Sequence, residues 1–394
     1  MGYGLWPMGY RYFILTLPEA PLPNLPHHRG IREGLTMHSR TLGSFLHCSL
    51  FAVALAPSLV ASPAPASLPP PQTPSATAAA ADQRAPAMRW GDTSRRGRPF
   101  AKDPSVIKFQ GRYLLYYSIP SYDDGRPNDG WGVGIAESRN LYDWTKVGEF
   151  LATEPYEAKG VAAPFAMVLD GKVHLFYQTY GNGPKDAICH AVSSDGLRFE
   201  RDATNPIFRP TGDWTVGRAI DVEIVRHGGR WFLYAATRDP QMKVQMVVGA
   251  VSESGFERSA WRMLADRPLL KPELPWEQDC IEAPTVLLRG KTVFMFYGGA
   301  YNNAPQQVGL ARSTDGVTWT RVSNEPFLRN GPPGTWNSSE SGHPGVFVDE
   351  DGTPYLFYQG NDDKGHTWKL SFVRLAWRDD LPVIADRAPE HRKP

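Results

Sequence analysis

The sequence predicts an all-β fold, a five-bladed β-propeller, on three observations. A strand–turn–strand unit recurs five times, the recurrences are almost evenly spaced, and no stretch between them carries a sustained helical period. A repeat of about 60 residues holding three or four short strands is what one propeller blade requires.

The blades can be justified in order. Residues 100–118, FAKDPSVIKFQGRYLLYYS, place two apolar runs on either side of a Gln110-Gly111 turn, the pattern of a β-hairpin. GVGIAES (132–138) and then Leu141-Tyr142-Asp143-Trp144 complete the first unit. The second begins near Ala162, turns at Asp170-Gly171 and continues through VHLFYQTY and ICHAVSSDGLRF. The third begins near Ala219, turns at Gly228-Gly229 and continues through WFLYAATR and VVGAVSESGF. The fourth begins at Cys280, turns at Arg289-Gly290 and continues through VFMFYGGAY and VGLARSTDGVTW. The fifth begins at Ser341, turns at Asp351-Gly352 and continues through PYLFYQGN and LSFVRLAW. Superposing the units puts Asp103, Ala163, Asp221, Glu282 and His343 at one structural position, 58 to 61 residues apart.

The propeller is expected over 89–394. Ahead of it, residues 1–36 show no hydrophobic period and are expected to be a non-native extension, with Met37 as the start. Residues 37–62 have a short basic beginning at His38 and Arg40, an apolar centre and the small run Val60-Ala61-Ser62. This is the layout of a secretory signal peptide, so a secreted or periplasmic chain with no membrane insertion is expected. Residues 63–88 are rich in Pro, Ala, Ser and Thr and read as a flexible linker. Lys plus Arg number 42 and Asp plus Glu 41, a balance with no basic surplus for nucleic acid. Three cysteines make no disulfide framework and no Cys/His cluster, and Cys189 and Cys280 are expected as free, buried thiols.

In a propeller the innermost strand of every blade runs along the central axis, so equivalent residues converge on one mouth of the channel. Here that pocket would receive two Asp, one Glu, one His and one Ala. A single Asp before a proline is as readily a turn residue. Three carboxylates brought close together are electrostatically costly, which favours a chemical use for the set. Convergent carboxylates without a metal cluster suit glycosidic hydrolysis. One acid is protonated to donate to the leaving oxygen, another is ionised to activate water, and a third keeps the donor protonated by repulsion.

DPS in the first blade, AP in the second, ID in the third, EAP in the fourth and a His-containing loop in the fifth together resemble glycoside hydrolase family 43, across residues 90–385. The resemblance implies that Asp103 is the general base, Asp221 the acid that tunes and orients the donor, and Glu282 the general acid. It also implies inversion, with the Asp103 and Glu282 carboxyls about 6.5–9.5 Å apart. It implies a carbohydrate substrate, arabinofuranosyl or xylosyl linkages first, and fructosyl or 3,6-anhydro-galactosyl linkages next. No cofactor is required, although in some members a calcium ion sits in the central channel, held through water by a residue matching His343. Two positions depart from the family pattern: Ala162 stands where Trp often precedes Ala-Pro, and Val222 where Pro often follows the third-blade acid. A non-catalytic carbohydrate-binding propeller is the alternative from another class, and the presence of all three acids speaks against it.

Further candidates lie in the loops. Phe165, Trp131 and Tyr301, with Trp214 and Trp336, offer aromatic faces on which a sugar ring stacks. Phe165 leads because it lies just past the second-blade position. Arg218 and His343 are expected near the substrate. Glu223, two residues after Asp221, is expected to pair with Arg218 or another base as a structural lock. The repeated S-x-D-G-x-x-aromatic motif at 193–199 and 313–319 is expected to be turn chemistry away from the site.

Overall fold

The computed structural model describes residues 88–122, 124–126 and 129–385. The expected extension, signal peptide and linker up to residue 87 lie outside the described residues. Met88, assigned above to the linker, belongs instead to the fold. It is 1% exposed, and its carbonyl accepts a 2.6 Å hydrogen bond from Ser371 Oγ.

Five antiparallel meanders of four strands form the blades. Blade one holds β1 (Lys102–Phe109), β2 (Arg112–Ile119), β3 (Gly132–Ser138) and β4 (Thr145–Phe150). Blade two holds β5 (Val161–Leu169), β6 (Lys172–Thr179), β7 (Ile188–Ser193) and β8 (Glu200–Arg201). Blade three holds β9 (Ile220–His227), β10 (Arg230–Arg238), β11 (Gln245–Ser252) and β12 (Arg262–Met263). Blade four holds β13 (Ile281–Arg289), β14 (Thr292–Gly299), β15 (Gln307–Ser313) and β16 (Thr320–Arg321). Blade five holds β17 (Glu340–Val348), β18 (Pro354–Asn361), β19 (Lys369–Arg378) and β20 (Leu381–Ile384). The inner strands β1, β5, β9, β13 and β17 pack in turn around the axis, β17 closing on β1. Closure is reinforced outside the blades, where Trp90 pairs with Leu370 and the Phe100 segment with Trp368.

The core lies between blades, because every blade presents an apolar face on each side. Ile107, Leu114 and Tyr116 of blade one pack on Leu175, Tyr177 and Cys189 of blade two. Equivalent clusters fill the other junctions. Burial of each large side chain stabilises by about 1.5–3 kcal/mol. Cys189 and Cys280 are free and buried, as the spacing predicts. The S-x-D-G motifs are turns, also as predicted. Asp195 Oδ1 accepts from the amides of Leu197 and Arg198, Asp315 Oδ1 from those of Val317 and Thr318, each at 2.7–2.8 Å. They also join blades, since Tyr116 Oη and Tyr234 Oη donate to the carbonyls of Gly196 and Gly316.

One irregularity repeats in all five inner strands and positions the site. The register against the second strand slips between Lys102 and Ser105, Ala162 and Phe165, Glu282 and Thr285, and Gly342 and Gly345, with a matching slip in blade three. Within each slip one residue adopts a left-handed backbone: Asp103 at φ 55°, Ala163 at 44°, Asp221 at 56°, Ala283 at 50° and His343 at 46°. These are β-bulges, which bend a strand and re-aim its side chains. Proline follows the bulged residue in four blades, where its missing N–H leaves no donor stranded in the interrupted ladder.

The bulge corrects the alignment made above. The blade-four counterpart of Asp103 is Ala283, whereas Glu282 lies one residue earlier, level with Lys102, Ala162, Ile220 and Gly342. Glu282 therefore enters the pocket from a different level than the two aspartates.

Candidate active site

Four of the five bulged residues are clasped by a side chain of the preceding blade. The Asp103 amide donates to Gln359 Oε1 at 3.1 Å, that of Asp221 to Gln178 Oε1 at 2.6 Å, and that of His343 to Gln306 Oε1 at 2.9 Å. Ser118 Oγ accepts from Ala163 in the same way, at 2.7 Å. A side chain anchored in one blade thus fixes the strained backbone of the next, and over-determination of this kind is what lets such strain persist. Gly342 is required beside the blade-four clasp, since a Cβ there would stand 2.0 Å from Gln306 Oε1.

Above the bulges lies a cleft of about 270 Å³ that includes Lys102, Asp103, Trp131, Tyr180, Arg218 and Asp221, and also Arg238, Gln245, Glu282, Tyr301, Asn302 and His343. The three predicted acids share it. His343 Nε2 sits 3.3 Å from Asp103 Oδ1 and 3.3 Å from Asp221 Oδ1, bridging the two carboxylates. Asp221 Oδ2 is buried and has no hydrogen-bond partner among the described residues. Glu282 accepts from three side-chain amides: Gln245 Nε2, Gln306 Nε2 at 2.6 Å and Asn302 Nδ2 at 3.3 Å.

Among the aromatic candidates, Trp131 and Tyr301 line this cleft, while Phe165 does not. The residue two places past each bulge points down the channel, where Ser105 Oγ, Glu223 Oε1 and Thr285 Oγ1 each accept an amide from the following blade. Phe165 occupies that position and packs near Phe176 in the junction of blades two and three. Trp214 packs in that same junction and Trp336 beside Tyr358, both away from the cleft. Arg218 lines the cleft but is paired with Asp186 at 3.2 Å. Glu223 is indeed a lock, although its partner is the Val286 amide at 3.2 Å and not Arg218.

Residues 97–382 match the family profile described as Glycosyl hydrolases family 43. The chain belongs to this family. Among curated proteins, this family 43 chain is 27% identical to a 1,2-beta-oligomannan phosphorylase of Thermoanaerobacter sp. (strain X514). That match takes in 50% of this chain and 64% of the phosphorylase. The fold resembles an alpha-L-arabinofuranosidase from Lactobacillus brevis with a TM-score of 0.56 at 19% identity, covering 75% of this chain and 97% of that one. It also resembles a family 32 beta-fructofuranosidase of Bombyx mori with a TM-score of 0.58 at 17% identity, covering 79% and 67%.

The electrostatics of the family 43 cleft separate its acids. Burial, and then the Asp221 carboxylate, push the Glu282 pKa above the ordinary carboxylate range, with His343, Gln306 and Lys102 working against the rise. Burial opposes charge on His343, yet Asp103 and Asp221 carry its pKa up to about 9, so the imidazole is a cation at neutral pH. Two acids outside the predicted catalytic trio are also shifted upward by burial, Glu223 to about 8 and Glu340 to about 7.

These shifts share one sign. Glu223 and Glu340 keep their protons from the usual 4.5 up to about 8 and 7, and His343 keeps its proton from 6.5 up to about 9, all over ranges where the unfolded chain has released them. The folded state then binds more protons, so stability falls as pH rises through these windows. The unfolding midpoint is expected to fall between pH 6 and pH 9, and Glu223→Gln to flatten that fall. An unchanged slope in the variant would show that Glu223 does not titrate in this range.

Lys102, Gln245, Asn302, Gln306 and Tyr180 were not picked out from the sequence, nor were the clasps Gln178 and Gln359. A signal for the last two was present, since Phe-Tyr-Gln recurs at 176–178 and 357–359, each near the end of the second strand of a blade.

Proposed function

We propose that this chain is a glycosidase hydrolysing glycosidic bonds with inversion, Glu282 acting as general acid, Asp103 as general base and Asp221 as the carboxylate that keeps Glu282 protonated. The observation that carries the reading is the division of labour in one cleft. Glu282 is buried and pushed toward its protonated form beside Asp221, while Asp103 is held by an imidazolium. Asp103 takes a proton from water as the water oxygen attacks the anomeric carbon. The bond to the leaving oxygen breaks, and the Glu282 proton passes to that oxygen.

The first substrates to try are arabinofuranosyl and xylosyl linkages, supported by the family match and the arabinofuranosidase likeness. Fructosyl and 3,6-anhydro-galactosyl linkages come next. The oligomannan phosphorylase relative supports a second reading, phosphorolysis, in which phosphate supplies the attacking oxygen. Asp103 weighs against it, because a negative base beside the point of attack repels phosphate. A secreted or periplasmic location goes with the first reading and rests on the pattern of residues 37–62.

His343 does not fit the role of holding calcium through water. Its Nε2 already contacts the Asp103 and Asp221 carboxylates at 3.3 Å each, and the channel oxygens of Ser105, Glu223 and Thr285 each already accept a backbone amide, whereas calcium seeks six to eight oxygen ligands. The reading therefore uses no metal, His343 supplying the positive charge. The test is a screen of arabinan, xylan, fructan and β-mannan oligomers, with and without phosphate, with the product anomer followed by NMR. Inverted product without phosphate is expected, at a rate unchanged by EDTA. A retained anomer, strict dependence on phosphate, or loss of rate on chelation would each overturn the corresponding part.

A further inference from the structure

The amides around Glu282 are not free to turn. Gln245 Oε1 accepts from Arg238 Nε at 2.8 Å and from Arg218 Nη1 at 3.5 Å. Asn302 Oδ1 accepts from Lys102 Nζ. Gln306 Oε1 accepts from the His343 amide at 2.9 Å. Guanidinium, ammonium and backbone N–H groups can only donate. Each amide oxygen is thereby fixed on its donor, and each amide nitrogen is left facing Glu282. Gln245 and Gln306 are buried at 1% and 0% exposure, so no solvent competes for them.

We propose that Gln245, Asn302 and Gln306 are positioning residues that fix the direction of the Glu282 carboxyl and receive its negative charge as the proton leaves. This rests on the reading of Glu282 as the general acid. Before transfer, burial and Asp221 keep the proton on Glu282. As the proton moves to the leaving oxygen, charge develops on a carboxylate already faced by three N–H donors, which need no reorganisation at that moment. Lys102, Arg218 and Arg238 act through the amides, which explains cations lining a cleft that already contains three acids. The cage also links the two halves of the site, because Lys102 directly precedes Asp103 and Gln306 clasps His343.

The test replaces Gln245 with methionine, similar in length but without the donor. A lost donor disfavours the carboxylate, so the basic limb of the kcat/KM profile, which reports Glu282 in the free enzyme, is expected to move up by about one pH unit. A fall of about tenfold in kcat with KM nearly unchanged is expected alongside. Asn302→Ala, half-buried in the loop between β14 and β15, is expected to move the limb the same way by less, and covers the case in which Gln245→Met does not fold. A lowered kcat with the limb unmoved in both variants would assign these residues to packing alone. Infrared titration of the carboxyl band lost in Glu282→Gln gives the same reading in the resting protein. If no glycoside is cleaved, that titration still decides the cage, while the catalytic role of Glu282 fails separately.

Discussion

Glu282→Gln is expected to lower kcat on an unactivated oligosaccharide by about 10²–10⁴-fold, the usual contribution of a general acid. The same variant should keep much of its rate on an aryl glycoside whose leaving group departs without protonation. Asp103→Asn should lower the rate on both substrates alike, since water must be activated in either case. The contrast follows from geometry: Glu282 stands among three amide donors beside Asp221, whereas Asp103 stands with His343 at 3.3 Å. Steady-state rates on the two substrates decide the assignment. Equal losses on both for Glu282→Gln would remove it from the acid's role.

The second large effect is on stability. Glu277→Ala is expected to cost about 3–5 kcal/mol, as when one partner of a buried ion pair is removed. Glu277 is fully buried at 0% exposure. It accepts from Arg321 Nε and Nη2 and from Tyr297 Oη, each at 2.8 Å, and from the amides of Glu273 at 2.8 Å and Leu274 at 2.9 Å. Alanine strands a guanidinium, a phenol and two amides together. Blade two repeats the device with Glu157, Arg201 and Tyr177, so Glu157→Ala is expected to behave similarly. Urea unfolding measures both, and a loss below about 1 kcal/mol in either would show that water replaces the carboxylate there.

Much of this was legible beforehand, because a propeller writes its repeat into the chain. Each Gly turn between apolar runs stands where a hairpin turns, and the period gives five blades. The acids were found by the same repeat. Glu282 was found but misplaced by one residue, since matching acid to acid ignored the proline register that marks the bulge. Aligned on Pro104, Pro164, Pro284 and Pro344, the sequence would have put Ala283 opposite Asp103. Phe165 was misjudged for the same reason: a bulge inverts the alternation of faces, and a residue expected at the mouth turns down the channel.

The partners of those acids were a matter for tertiary structure. The sequence by itself determined the blade count, the strand order within blades and the presence of three acids and a histidine on the inner strands, because each of these is periodic. It could not place Gln245, Asn302 and Gln306 around Glu282, nor set His343 between Asp103 and Asp221, because these contacts join a loop to a strand of its own blade or one blade to another, across 20 residues or more. Nor could it tell a protonated acid from an ionised one. That distinction comes from burial and from the nearest charge, and both exist only once the five blades close around their axis.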